Sequence, residues 1–385
     1  MPKMRAAVLT GYGGVDRLEL REVSRPEPGS GQLLVRVRAA GVNPIDWKIR
    51  QGRLRLLLPA RFPLVLGFDV AGEVAAIGPE VAEFEPGDAV YAMLDSRHGG
   101  GYAEYAVTGQ ATAAAKPEDL SWEEAAAVPL AALTALQALR DLADLQDGDR
   151  IAITGAAGGV GHFAVQLAAA LGARVIGVAG PGHQDFVRRL GAERAVDYTR
   201  EDFTALEAVA TAGAVVSTAA SETLAAAGPA GAARAAEAAR AARARGGTGP
   251  AGDAADRGPA GGPGDPGADT EDFEVIFDAA GAYGFDACEP ALTPGGVYVT
   301  TQPGPAIFVA QLRAALSRLI DRAGARRAAV LRTRPRGNDL EALADLIAAG
   351  RVRPAIDRVY ALDEVRQAHA ASQAGHPMGK IVLRC

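Results

Sequence analysis

Apolar positions in the first third of this chain come in short runs, alternating or continuous, separated by Gly and Pro punctuation. That rhythm predicts β structure. Leu33–Ala39 and Asp69–Ile77 are predicted strands, Pro86-Gly-Asp-Ala-Val-Tyr-Ala92 a turn into a third, and Gly101–Val107 a fourth. Ser121-Trp-Glu-Glu124 predicts a capping box that opens a helix, and the alanine-rich segment to Leu142 continues it as one helical bridge.

Beyond the bridge the period changes. The apolar strand Ile151–Thr154 runs into glycines and then into a helix carrying Phe163, Val165, Leu167 and Leu171 that stops at Gly172; Arg174–Val178 is the next strand. A βαβ unit with a glycine turn is the layout of a dinucleotide site. Glycines let the backbone approach a pyrophosphate, whose charge meets free N–H groups and the positive end of the helix dipole. The turn is Ala156, Ala157, Gly158, Gly159, Val160 and Gly161, with alanine at the first glycine of the usual fingerprint.

The second strand ends in Ala179-Gly-Pro-Gly-His183, without the Asp or Glu that would hold a ribose 2′-hydroxyl. NADPH is therefore expected over NADH. His183, Tyr198 and Arg200 are the candidate donors to a 2′-phosphate, the last two following a third strand, Arg194–Asp197; alternatively, Tyr198 only caps that strand and Arg200 is solvated. Phe273–Gly281 is a fourth strand, its cofactor-facing end at Gly281; Gly295–Thr301 is a fifth and Ala328–Thr333 a sixth.

Composition narrows the class. The 385 residues suit two domains, and a formal net charge of −6 gives no electrostatic footprint for nucleic acid. Two cysteines, Cys288 and Cys385, make neither a disulfide framework nor a cysteine-based zinc site. No signal-peptide core and no apolar run of membrane length stand in the sequence, so a cytoplasmic protein with no membrane partner is expected.

Seven pieces in order resemble the medium-chain dehydrogenase/reductase superfamily, in its zinc-independent quinone oxidoreductase branch. They are Gly41–Asp46, Leu66–Gly72, Gly87–Tyr91, Gly100–Tyr105, the Gly158–Gly161 turn, Leu190–Ala192 and Gly379–Leu383. The resemblance implies an α/β protein: a GroES-like β domain, residues 1–124 and 335–385, plus a Rossmann domain with a doubly wound parallel sheet, residues 125–334. It also implies a homodimer paired along the edge of the sixth strand.

Zinc-using members of the superfamily carry cysteine near the position of Asn43 and Gly-His-Glu where this chain reads Gly67-Phe68-Asp69. The resemblance thus implies no metal. Hydride would pass to an acceptor that spreads its own charge, a quinone or an α,β-unsaturated carbonyl (enone or alkenal). In Gly41-Val-Asn-Pro-Ile-Asp-Trp-Lys48 it assigns Asn43 as donor to the substrate oxygen and Lys48 as stabiliser of the enolate or proton relay. Asp46 would hold the loop or Lys48, or form a surface pair with it. Lysine after Asn-Pro-x-Asp inclines the reading toward double-bond reduction. The backbone of Thr300, Thr301 and Gln302 would meet the nicotinamide carboxamide. Thr134 would lie near the cofactor or, alternatively, on a helix surface.

One segment stands outside this pattern. About 205–270 is a low-complexity insertion rich in Ala, Gly and Pro, expected to be disordered and either without function or, alternatively, a partner-binding arm, which its arginine spacing favours. Two alternative functions stay open: an NADPH-binding redox sensor or structural protein with little turnover, and an enoyl reductase acting on a carrier-bound substrate through a basic patch of Arg50, Arg53, Arg55 and Arg61.

Overall fold

The computed structural model describes residues 2–205, 272–302, 325–375 and 377–385. Most of the expected insertion lies outside the described residues. The β domain begins with an unforeseen antiparallel pair, β1 (Lys3–Leu9) and β2 (Leu18–Ser24), followed by β3 (Gln32–Val42) and the short helix α1 (Pro44–Arg50). Then come β4 (Leu64–Val65), β5 (Asp69–Ile77), β6 (Ala89–Met93), β7 (Tyr105–Gly109) and β8 (Ala113–Ala115). β3 is the axis of this domain. It pairs antiparallel with β5, with β7 and with the last strand of the chain, Lys380–Arg384.

The helical bridge differs from the sequence expectation. The capping box is present, with the Ser121 hydroxyl accepting from Glu124 N and the Glu124 carboxylate from Ser121 N, but α2 (Trp122–Ala127) ends before Pro129. Proline opens α3 (Pro129–Gln137) instead, since its ring cannot continue the helix before it. Alanines let α2 lie close on β3 and β5: a Cβ added at Gly41 would stand 2.5 Å from the Ala126 carbonyl oxygen.

The second sheet is wholly parallel. It comprises β9 (Arg150–Thr154), β10 (Arg174–Ala179), β11 (Arg194–Asp197), β12 (Phe273–Asp278), β13 (Leu292–Thr300) and β14 (Arg327–Val330), in the order β11-β10-β9-β12-β13-β14. This is the doubly wound order, reversing beside β9 so that a crevice opens at the carboxyl ends of β9 and β12. Helices α4 (Gly161–Ala170) and α5 (Gln184–Arg189) follow β9 and β10. After β14 the chain forms α6 (Gly337–Ala348), then β15 (Ile356–Ala361), α7 (Val365–Ala374) and β16 (Lys380–Arg384), which completes the β-domain sheet. The architecture is thus a GroES-like β domain plus a Rossmann domain.

One hydrophobic core crosses the boundary: Ala39, Ala71 and Tyr91 of the first sheet join Leu133, Ile151, Phe163 and Leu343. Among the described residues no helix is long and apolar enough to cross a membrane.

Candidate active site

The glycine turn starts one residue earlier than the fingerprint reading places it. Gly155, at φ +62°, makes the tight first turn, and Gly158 N donates to its carbonyl over 2.9 Å. Ala156 is not a weakened first glycine. It is fully buried, and its N–H donates to Val178 O across the sheet at 3.0 Å. Gly161 is needed for the close approach of helix and strand, because a Cβ there would lie 2.1 Å from Gly155 O. The turn and the N-terminus of α4 form a cradle of the kind that takes a pyrophosphate, with the N–H groups of His162 and Ala164 already donating to Gly158 O and Val160 O at 3.0 Å.

Behind the turn stands a buried histidine that the sequence did not single out. His162 Nε2 accepts from Ala355 N at 3.2 Å, which leaves Nδ1–H to donate to Gly158 O at 2.9 Å. Burial holds its pKa down at about 4, so the ring is neutral. Gln166, one turn on, exchanges two hydrogen bonds with the Arg353 backbone. Both side chains fasten the turn helix to the segment leading into β15.

The carboxyl ends of β9, β12 and β13 are gathered by Asp278. Its carboxylate accepts from the Thr154 hydroxyl, from Tyr298 OH at 2.9 Å, and from the backbone N–H groups of Ala282 and Tyr283 at 3.1 and 3.0 Å. This knot fixes the rim on which the expected cofactor residues stand. Gly281, at φ +65°, lies against Gln302, whose Nε2 donates to Ala280 O at 3.0 Å. Thr300 is buried and accepts from Gln302 N at 3.2 Å, while Thr301 is half-buried beside it. Thr134 is not a surface threonine. It is buried on α3, donating to Leu130 O and sharing a hydrogen bond of 2.8 Å with Thr333.

At the end of β10, Tyr198 covers Gly180: its ring lies 3.4 Å from where a Cβ would stand. His183 is half-exposed just before α5. Arg200 is exposed, with only a loose pair to Asp197 at 3.9 Å. His183 follows β10 in the chain, and Tyr198 and Arg200 follow β11, both exposed to solvent.

The floor of the cleft comes from the β domain. Asn43 ends β3 and, with Pro44 after it, starts α1, the capping box being closed by Asp46. The Asn43 Nδ2 donates to Asp69 Oδ2 at 2.9 Å, its Oδ1 accepts from Lys380 Nζ, and Lys380 Nζ stands 3.4 Å from Asp69 Oδ2. Asp69 Oδ1 accepts from Leu130 N at 2.8 Å. Burial raises the Asp69 pKa, with Lys380 and the hydrogen bonds opposing it. The amide of Asn43 is thus tied at both ends, to Asp69 and to Lys380.

Of the alternatives left open for Asp46, the geometry matches the one in which it holds the loop. It is fully buried, accepts from Asn43 N and from Tyr102 OH, both at 2.7 Å, and makes no pair with Lys48. Burial pushes its carboxyl up to about 7, and the same environment raises Tyr102 well above the ordinary phenol. Asp46 is therefore a positioning residue for the Asn43 loop. Lys48 is half-buried over the Trp47 ring, 5.6 Å from its centroid, and has no ion pair among the described residues. Desolvation first and Arg53 second lower its pKa.

Lys380, Asp69 and Tyr102 carry this floor, and sequence spacing gave no sign of them as a set. A zinc ion does not fit here. Both Asp69 oxygens are engaged, an ammonium occupies the place of a cation, and among the described residues no three His, Cys, Asp or Glu side chains gather to hold a metal.

Comparison with known proteins agrees with the fold. The model for the alcohol dehydrogenase GroES-like domain matches residues 29–118, and two models described as zinc-binding dehydrogenase match 159–248 and 265–383. The chloroplastic quinone-oxidoreductase QR1 of Triphysaria versicolor is 31% identical over 386 residues, covering 99% of this chain and 98% of that one. A chloroplastic quinone-oxidoreductase homolog of Spinacia oleracea is 46% identical over 201 residues, 51% of this chain and 61% of the relative. The chloroplastic NADPH-dependent alkenal/one oxidoreductase of Arabidopsis thaliana is 37% identical over 212 residues, 52% of this chain and 54% of the relative. Among solved structures, the quinone oxidoreductase from Coxiella burnetii superposes with a TM-score of 0.74 at 28% identity, over the full length of both chains. The chain belongs to the medium-chain dehydrogenase/reductase superfamily, in its quinone oxidoreductase branch. It is accordingly an oxidoreductase that uses a nicotinamide cofactor.

Proposed function

We propose that this enzyme is an NADPH-dependent, metal-free reductase of quinones or α,β-unsaturated carbonyls, with the balance toward double-bond reduction. The observation that carries the reading is Lys380 held against Asn43 and Asp69, where a metal-using relative would collect ligands. Without a Lewis acid the acceptor has to delocalise its own developing charge, which quinones and enones do and simple alcohols do not.

The cofactor, when bound, supplies the hydride. The turn from Gly155 to Gly161 and the N-terminus of α4 bind its pyrophosphate; Tyr198, His183 and Arg200 meet the 2′-phosphate; Gly281 and the backbone of Thr300 to Gln302 orient the carboxamide, with Thr134 supporting the neighbouring wall. Lys48 has a half-desolvated ammonium without an ion pair among the described residues, suited to stabilising an enolate oxygen or delivering a proton to the α-carbon. Asn43 donates a side-chain N–H to the substrate oxygen, and Asp46 keeps that loop in place. The relative named as an NADPH-dependent alkenal/one oxidoreductase supports both the cofactor and the acceptor class.

We assign the enzyme to the homodimeric state through β14, an edge strand whose described partner is β13 alone, and to the cytoplasm. The direct test of the assigned chemistry is Lys48→Met: turnover of an enone should fall while NADPH affinity holds. An unchanged rate removes Lys48 from the mechanism.

A further inference from the structure

Large apolar side chains on the described surface are scattered and partly covered, with one exception. Leu56 and Leu57 stand next to each other at 91% and 71% exposure, at the tip of the loop that follows α1. Their neighbours Leu54 and Leu58 turn inward onto the core of the β domain, so the loop is anchored and presents the other two outward. Backbone bonds support the turn, Arg53 N donating to Lys48 O at 3.0 Å and Leu58 N to Leu54 O at 2.7 Å.

The charge along this segment of the chain is of one sign. Between Trp47 and Phe68 the sequence holds Lys48, Arg50, Arg53, Arg55 and Arg61 and no Asp or Glu, in a chain whose net charge is −6. Arg50 is buried and bonds Gly13 O and Gln373. Arg53, Arg55 and Arg61 are exposed and form no ion pair among the described residues; Arg53 instead lies over the Trp47 ring, 5.3 Å from its centroid. Two protruding leucines on a loop with exposed arginines that have no ion pair among the described residues match a surface with phosphates outside and hydrocarbon beneath.

We propose that the loop from Gly52 to Arg61 docks on the surface of an anionic lipid bilayer, the leucines entering the acyl boundary and the arginines meeting lipid phosphates. No spanning segment is needed, so the absence of long apolar runs in the sequence does not bear on it. The same loop continues from the helix carrying Lys48, which turns the mouth of the cleft toward the bilayer, where lipophilic quinones and enones dissolve. That last consequence rests on the proposed function; the docking itself does not.

The test is co-sedimentation of the full chain with vesicles of phosphatidylcholine alone or of phosphatidylcholine containing phosphatidylglycerol, at low and high salt. The parent should bind the anionic vesicles in a salt-sensitive manner. Leu56→Ser/Leu57→Ser and Arg53→Gln/Arg55→Gln/Arg61→Gln should each weaken binding about tenfold, with thermal unfolding unchanged because the side chains are exposed. Failure of the parent to bind, or equal binding by the leucine variant, overturns the proposal. Loss of self-association in the leucine variant, by light scattering and without vesicle binding by the parent, overturns it too and gives the patch to a second copy of the chain. None of these readouts involves turnover, so they separate docking from the catalytic assignment.

Discussion

The backbone N–H of Gly379 donates to the carbonyl of Ala157 over 2.9 Å, so the final strand of the β domain is fastened to the turn that opens the dinucleotide fold. The next residue, Lys380, follows the same course. Its Cδ would lie 3.3 Å from a Cβ at Gly159, and its ammonium ends on Asn43 and Asp69. Cofactor turn and substrate loop are therefore joined through one buried lysine.

Removing that lysine's charge should be costly. Lys380→Met leaves the Asp69 carboxylate buried beside an amide oxygen without its donor, and breaking a buried pair in this way costs about 3–5 kcal/mol. Chemical denaturation should show the loss, and adding Asp69→Asn should restore part of it. A loss below about 1 kcal/mol would mean that the pair contributes no more than a surface one.

Gly161→Ala should cripple cofactor binding. The methyl group would meet backbone on both sides, at 2.1 Å from Gly155 O and 2.8 Å from Ala156 Cα, and backbone cannot swing aside as a side chain does. Overpacking of this kind costs about 1–3 kcal/mol, or roughly tenfold or more in affinity. Fluorescence titration with NADPH measures it, with Gly284→Ala as the control because nothing lies within 4 Å of a Cβ there. Equal affinity in both variants would show that the turn tolerates the methyl group.

A distinct pH signature belongs to Asp46. Its carboxyl is pushed up to about 7 by burial, whereas in the unfolded chain it titrates near 4. Between those values the folded state holds more protons than the unfolded state, so this contribution to stability is fully present at low pH and is lost as pH rises toward 7. Asp46→Asn keeps an acceptor for Asn43 N and Tyr102 OH but cannot titrate. The unfolding free energy of the parent minus that of the variant should therefore fall from about pH 4.5 to 7.5. His162 and His369, held down at about 4 and about 3, act in the opposite direction but are present in both proteins and cancel. A flat difference would contradict the assignment.

Arg200→Ala should raise the KM for NADPH about tenfold and leave that for NADH unchanged, since the proposed role of this exposed, loosely paired guanidinium after β11 is toward the 2′-phosphate alone. Parallel initial-rate measurements with both cofactors check this. Equal effects on the two would place Arg200 outside the 2′-phosphate site.

The sequence exposed what is local. The run from Ile151 through the glycines to Leu171 carries its own period, and Asn43 before Pro44 marks a helix start, so both halves of the cleft were legible. What escaped depends on chain crossings that spacing does not encode. Asn43 meets Lys380 across 337 positions, and Tyr102 reaches Asp46 across 56. For Asp46 the sequence leaves open a hold on the loop, a hold on Lys48 or a surface pair with it, because the two are near neighbours in the chain; full burial of Asp46 against Tyr102 separates them. Gly155 stands one residue before the stretch that aligns with the usual fingerprint, and the positive φ that identifies it is a property of the folded turn.

The most direct measurement is steady-state oxidation of NADPH and NADH against 1,4-benzoquinone, 9,10-phenanthrenequinone and trans-2-hexenal, before and after treatment with a chelator. NADPH should be oxidised in preference to NADH, with at least one of these acceptors, at a rate the chelator leaves unchanged. Activity that disappears with chelator and returns with zinc, or failure to oxidise either nicotinamide with any of the three, would contradict a metal-free hydride transfer at this site.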